Sequence, residues 1–424
     1  MVRFSYSELF LALGLGVASL SLFGCGGGGS STNNTGKNTS PIPQGDGSST
    51  NNTGNNTSPI PQKAVQTITG LPSGTVENLS SIDLPKTTNA GLPISYSVST
   101  PNTCMVSNFT LQVTNTGKCT VAYTQNGDTT YAPLNANLSL DVSRVNYYEL
   151  PPSVKDCKFG VINDKTRESI LAEVNDIRKL HGLEPLVYNK DFEKYTNEAA
   201  LAVAAQNLAS HNIDSTWNCY SENASYGAKY SSLYRKNSSL VDYQVHPTDA
   251  IVSFMRENTS DSLGHRRWML DPFVKETAFG LADGEKKVGT GYTYGAALYM
   301  LNPATHIKNT TTSPLGIYPY PVGNYPRKYF QKGDRLSLFI LYDQSTYFKN
   351  SFVDYSKATI TIKDDTGKQY SPTGILFDTQ SQGVPNNLSF LFPDFEYGVN
   401  YTVNLDNVTV NGQVKNYQYS FKVD

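Results

Sequence analysis

Charge of either sign is scarce in this 424-residue chain: Lys and Arg total 34, Asp and Glu 36, and charged residues make up 17%. With no excess of one sign to drive long-range attraction, nucleic acid is not an expected partner. No G-x-S-x-G nucleophile elbow and no H-E-x-x-H metal motif is present, so neither serine-hydrolase nor zincin chemistry has a local signature. Methionine (5) is sparse, whereas tyrosine (28) is abundant beside plentiful Asn, Ser and Thr, a balance that suits β-rich extracellular modules. At this length one core stops growing, so about two to four domains are expected.

The N-terminus sets the compartment. After Arg3, residues 9–23 form an apolar run of 15, long enough for a secretory signal and short for a spanning helix. It ends in Leu22-Phe23-Gly24-Cys25, which resembles the lipobox at which bacterial lipoproteins are cleaved before a Cys that becomes acylated. That resemblance implies export, with the membrane as a partner through Cys25. Gly26 is not the Asp associated with inner-membrane retention, so the outer membrane or cell surface is expected. The other four cysteines, Cys104, Cys119, Cys157 and Cys219, are an even set in an oxidising compartment.

Residues 26–62 repeat SSTNNTGKNTSPIPQ almost verbatim at an 18-residue period. With almost no apolar side chains to offset chain entropy, this stretch reads as a disordered tether. Over residues 63–145 apolar side chains alternate, as in Phe109, Leu111, Val113 and in Leu138, Leu140, Val142, the period of half-buried strands. The stretch resembles bacterial immunoglobulin-like repeats. Residues 146–302 turn helical: Ile170, Val174, Ile177 and Leu180 share one face, a second helix follows Asn189 and Asp191, and a third runs from about Thr248. Alternation returns over 303–424, with Asn411-Gly412 as a hairpin signal. The fold expected is therefore multidomain α+β, a helical centre between two β-sandwiches of immunoglobulin-like type. Four cysteines allow three connectivities; Cys104–Cys119 with Cys157–Cys219 is the one that respects these boundaries.

Four stretches of the centre, in order, resemble the CAP superfamily of cysteine-rich secretory and pathogenesis-related proteins. They are Asn175-Asp176-Ile177-Arg178 with Gly182-Leu183 and Pro185-Leu186; Ala209-Ser210-His211; Ser221-Glu222-Asn223, with Ser where the family has Gly; and residues 250–257 followed by Gly264-His265-Arg266-Arg267. The resemblance implies an α-β-α sandwich whose cleft gathers His211, Glu222, Glu257 and His265. Residues 259–263 are a longer insertion than the family pattern leads one to expect.

Two imidazoles and two carboxylates suit Zn²⁺ or another divalent cation, or a proton network without metal. Two functions are expected from such a cleft. One is a binding module displayed outside the cytoplasm toward a lipid, glycan or protein; the other is a hydrolase acting on a peptide, ester or glycan with the same four residues as catalytic candidates. Arg266 and Arg267 are expected to form salt bridges.

Overall fold

Helix α1 (Asp164–Leu180) forms where the 3.6-residue pattern begins: the Asn163 side chain caps it by accepting from the Thr166 amide, and Ile170, Val174 and Ile177 are buried along one face. A computed structural model of the chain describes residues 62–239, 244–257, 260–300 and 306–424. The expected signal segment, Cys25 and nearly all of the tether lie outside the described residues. No described helix is long and apolar enough to cross a membrane.

The other helices are α2 (Glu193–Gln206), α3 (Glu222–Lys229), α4 (Thr248–Arg256) and α5 (Gly264–Met269). Asn189 caps a short 3₁₀ turn ahead of α2 rather than the helix itself. The helices surround a four-stranded sheet in the order Val187–Tyr188, Glu276–Glu285, Tyr292–Tyr299, Ser231–Ser238, parallel at its first pair and antiparallel thereafter.

The two faces of this sheet are packed differently. Against one lies α2, with Ala199, Ala200 and Ala202–Ala204 fully buried. Approach is so close that a Cβ on Gly280 would come within 2.1 Å of the Thr196 backbone, and one on Gly295 within 2.3 Å of the Ala200 carbonyl. Only glycine permits that spacing. The opposite face carries Phe279, Leu281, Tyr294 and Leu298, which join Ile170, Val174 and Ile177 of α1 and Phe254 and Met255 of α4.

That second core continues into the C-terminal strands through Tyr320, Tyr325, Leu338, Phe390, Tyr401 and Phe421, so packing crosses the position where the sequence places the end of the helical centre. The C-terminal strands form a four-stranded sheet (Gly316–Tyr320, Leu336–Leu341, Asn387–Leu391, Thr373–Asp378) and a larger one built on the hairpin Asn400–Val410 and Gln413–Val423. Asn411 and Gly412 turn that hairpin with φ of 48° and 78°, as an Asn-Gly turn requires. Residues 63–145 form a four-stranded and a three-stranded sheet over a separate small core of Leu111, Val113, Val121, Leu140 and the Cys104–Cys119 disulfide. Cys157–Cys219 is the second disulfide, so both expected pairs are formed.

Candidate functional site

The end of α4 and the start of α5 bring two of the four expected residues together. Glu257 takes a left-handed conformation (φ 37°) that turns the chain out of α4, and its side chain points back to the N-terminus of α5. There Oε2 accepts the Arg266 amide at 3.0 Å, an amide with no partner inside its own helix. Oε1 lies 3.4 Å from Nδ1 of His265. Burial raises the Glu257 carboxyl pKa, and the Arg266 amide and guanidinium oppose that rise.

His265 packs on the Phe254 ring at 4.9 Å between centroids. Burial first, and then the neighbouring His211, pushes its pKa from 6.5 down to about 4, so the ring is neutral at pH 7. His211 follows α2 in an exposed turn, its ring centroid 6.4 Å from that of His265. Nδ1 of His211 lies 2.7 Å from the Ala228 carbonyl, which can only accept. Nδ1 therefore donates to that carbonyl, and in the neutral ring the lone pair falls on Nε2.

Glu222 is not part of this group. It is exposed in the first turn of α3, behind the Ser221 cap, where a carboxylate complements the helix dipole. The acid that organises this motif is Glu198 of α2, which accepts from Ser221 Oγ at 2.5 Å and from Asn223 Nδ2 at 2.9 Å. Sequence reasoning did not single out Glu198, because a Glu within a helix carries no local signal of its target.

The four-residue shell expected for Zn²⁺ or another divalent ion is accordingly not assembled. Among the described residues no group of three or more His, Cys, Asp or Glu side chains could hold a metal ion. The reasons are local: Glu222 faces solvent, Glu257 is engaged by the Arg266 amide, and the Nδ1 atoms of the two histidines already have neighbours.

What the fold does create is a cavity of about 390 Å³ lined by His211, Glu257 and His265, within the usual range for small-molecule pockets. Its other walls include Tyr230, Ser231 and Ser232 at the start of a sheet strand, Trp268 of α5, and Gln382 from the C-terminal strands. Ser260 and Ser262 of the insertion also line it, so that segment extends the cleft and leaves Glu257 at its wall.

Arg266 and Arg267 hold α5 in place. Arg266, 1% exposed, donates to the Met255, Arg256 and Arg335 carbonyls and to Ser337 Oγ, and lies 3.7 Å from the centre of the Tyr320 ring. Arg267 reaches Asp378 at 3.0 Å and the Gln380 carbonyl at 2.7 Å. A salt bridge is therefore found for Arg267, whereas Arg266 is held by carbonyls, a hydroxyl and an aromatic face.

Comparison with known proteins supports the reading of the centre. Residues 171–297 match the model of the Cysteine-rich secretory protein family, CAP, so this stretch is a CAP domain. Among solved structures, the one titled "Crystal Structure of MpPR-1i" is similar over 34% of this chain and 94% of its own, at 14% identity and a TM-score of 0.21. No curated protein matches.

Proposed function

We propose that this chain is an exported, membrane-anchored binding protein whose CAP domain receives an extracellular ligand in the His211/His265 cavity. In this reading Cys25 carries the acyl chains, residues 26–62 supply reach, and the regions 63–145 and 303–424 are immunoglobulin-like sandwiches flanking an α-β-α centre. A surface location, at the outer membrane or cell envelope, follows from the residues around Cys25.

The observation that carries the proposal is the pair of imidazoles lining one open, partly polar cavity, each with Nδ1 already beside an acceptor and its other nitrogen left for a ligand. Such preorganisation favours binding because the rings lose little freedom when a ligand arrives. Hydrolysis gains no specific support: no described side chain is activated as a nucleophile by either histidine.

The anchor is tested by metabolic labelling with palmitate. Label should be present in the wild-type chain and absent in Cys25→Ser, which should also leave the membrane fraction. For the cleft, the imidazole proton signals of His211 and His265 are followed by NMR while lipid, glycan and protein fractions of a bacterial envelope are added in turn. One fraction should shift both signals; if none does, the cleft is not the binding site.

A further inference from the structure

The two disulfides of the chain stand in opposite surroundings. Cys104 and Cys119 are both 0% exposed, lie on strands within the small core of residues 63–145, and neither has a positive φ. Cys157 is exposed and Cys219 half-buried, each in a stretch without helix or strand. Both take left-handed backbone conformations, with φ of 54° and 58°. Cysteine lacks the side-chain amide or carboxylate that lets Asn and Asp visit this region, so both ends of the bond are held in an unfavourable geometry.

Cys157 sits in a tight turn closed by reciprocal backbone hydrogen bonds between Ser153 and Lys158. Lys155 and Lys158 flank it and Lys287 donates to the Lys155 carbonyl, so three ammonium groups stand against the carboxylates of Asp156 and Glu285. Excess positive charge beside a disulfide favours the approach of a thiolate and stabilises the thiolate that leaves.

What the bond holds is one side of the cleft. Residues 207–221 run from the end of α2 to the Ser221 cap of α3 without a helix or strand, and they carry His211. They are fastened at few points. Ile213 and Trp217 pack with the α2 alanines, Asn218 donates to Gln206, His211 donates to the Ala228 carbonyl, and Cys219 is bonded to Cys157. Opening that bond returns conformational freedom to a segment with little regular hydrogen bonding of its own.

We infer that Cys157–Cys219 is a thiol-exchange site for a dithiol reductant, and that its redox state sets how firmly His211 is held in the cleft. A thiolate of the reductant attacks Cys157 Sγ, the Cys157–Cys219 bond breaks, and Cys219 leaves as a thiolate with the electron pair. The second thiolate of the reductant attacks its own sulfur in the mixed disulfide and releases Cys157. Two electrons pass to the protein, the reductant closes as a disulfide, and the two protons it loses reach the two cysteines through water. Cys104–Cys119, sealed in its core, stays closed. The inference rests on the binding role proposed for the cleft and adds a control over it.

The full chain is equilibrated at neutral pH in mixtures of reduced and oxidised dithiothreitol, free thiols are trapped with N-ethylmaleimide, and peptide mass spectrometry reads each pair separately. Cys157–Cys219 should be half-reduced at a reduced-to-oxidised ratio roughly tenfold or more below that needed for Cys104–Cys119. There the imidazole C–H signals of His211 should shift or broaden in NMR, those of His181 should stay, melting should remain cooperative, and reoxidation should restore the His211 signals. Cys157→Ser combined with Cys219→Ser should show the altered His211 signals with no response to dithiothreitol; if that variant does not fold, the titration of the wild-type chain decides by itself. Equal ratios for the two bonds, opening of Cys157–Cys219 only where cooperative melting is lost, or selective opening with His211 unmoved each overturns the inference. None of these touches the cleft reading, which the envelope-fraction experiment decides without reductant.

Discussion

The two strand-rich regions that flank the helices are attached to them by different physics. Residues 63–145 keep their own small core around Cys104–Cys119 and meet the centre mainly through polar contacts, such as Arg144 with Asp283, Lys165 with Glu77, and the Gln244 side-chain amide donating to the Val145 carbonyl, with Val145 itself packed on the central core. The C-terminal strands instead share one apolar core with α1 and α4, crossed by the buried Arg266, by Arg267, and by Arg256 on Asp334. An apolar core is worth roughly 25 cal/mol per Å² removed from water, whereas an exposed ion pair such as Lys165 with Glu77 contributes about 0–1 kcal/mol. The first region should therefore be separable from the centre and the C-terminal strands inseparable from it.

The largest test of that contrast is truncation. A chain ending at Asn309 loses the C-terminal partners of Arg256, Arg266 and Arg267 (Asp334, Arg335 and Ser337, and Asp378 and Gln380) and exposes the aromatic face; it should show no cooperative unfolding transition by calorimetry, whereas a chain lacking residues 63–143 should retain one. Next comes Arg266→Ala, which leaves a buried hydroxyl and several carbonyls without their donor and should cost about 3–5 kcal/mol by chemical denaturation. Replacing Cys104 and Cys119 together by Ala opens a closure with a sequence separation of 15, and so should cost about 3 kcal/mol, confined to the first region. If the melting of the centre moved as well, the two regions would not be independent.

Acid gives the smallest effect and the same division. All five histidines lie outside residues 63–145, and burial depresses the pKa of His265 to about 4 and of His181 to about 3 from 6.5. A histidine whose folded pKa is depressed contributes stability that is complete above about pH 6.5 and is lost as pH falls toward the folded value. Glu257, whose pKa is raised, works in the opposite sense, gaining stability on protonation. For His265, with its side chain 31% exposed, a loss of about 1–2 kcal/mol is expected after allowance for solvent screening. Thermal melts between pH 7 and pH 4 should lower the transition of the centre and leave that of residues 63–145 in place.

Much of the fold was legible in residue order. Ile170, Val174 and Ile177 recur at helical spacing and are buried together, and Leu138, Leu140 and Val142 alternate and are buried on one face of their strand. Both disulfides follow from keeping pairs within regions. Periodicity reports which face of an element is covered and is silent on what covers it. That is why the core shared with the C-terminal strands, and the role of Arg266 in it, could not be read: its contact to Ser337 spans 71 positions. The same limit applied to the cleft. His211, Glu257 and His265 line one cavity, Glu222 is exposed apart from it, and Ser231, Ser232 and Gln382 carry no motif.

Were the chain anchored at Cys25 as proposed, the Cys157–Cys219 bond would have a mechanical meaning. Tension along the backbone would pass through the sulfur atoms and skip the intervening segment, which contains α1 and α2. With a sequence separation of 62, about 200 Å of contour could not be drawn out under load. Helices α1 and α2, and His211 after them, would thus be shielded from shear that peels other parts of the molecule apart.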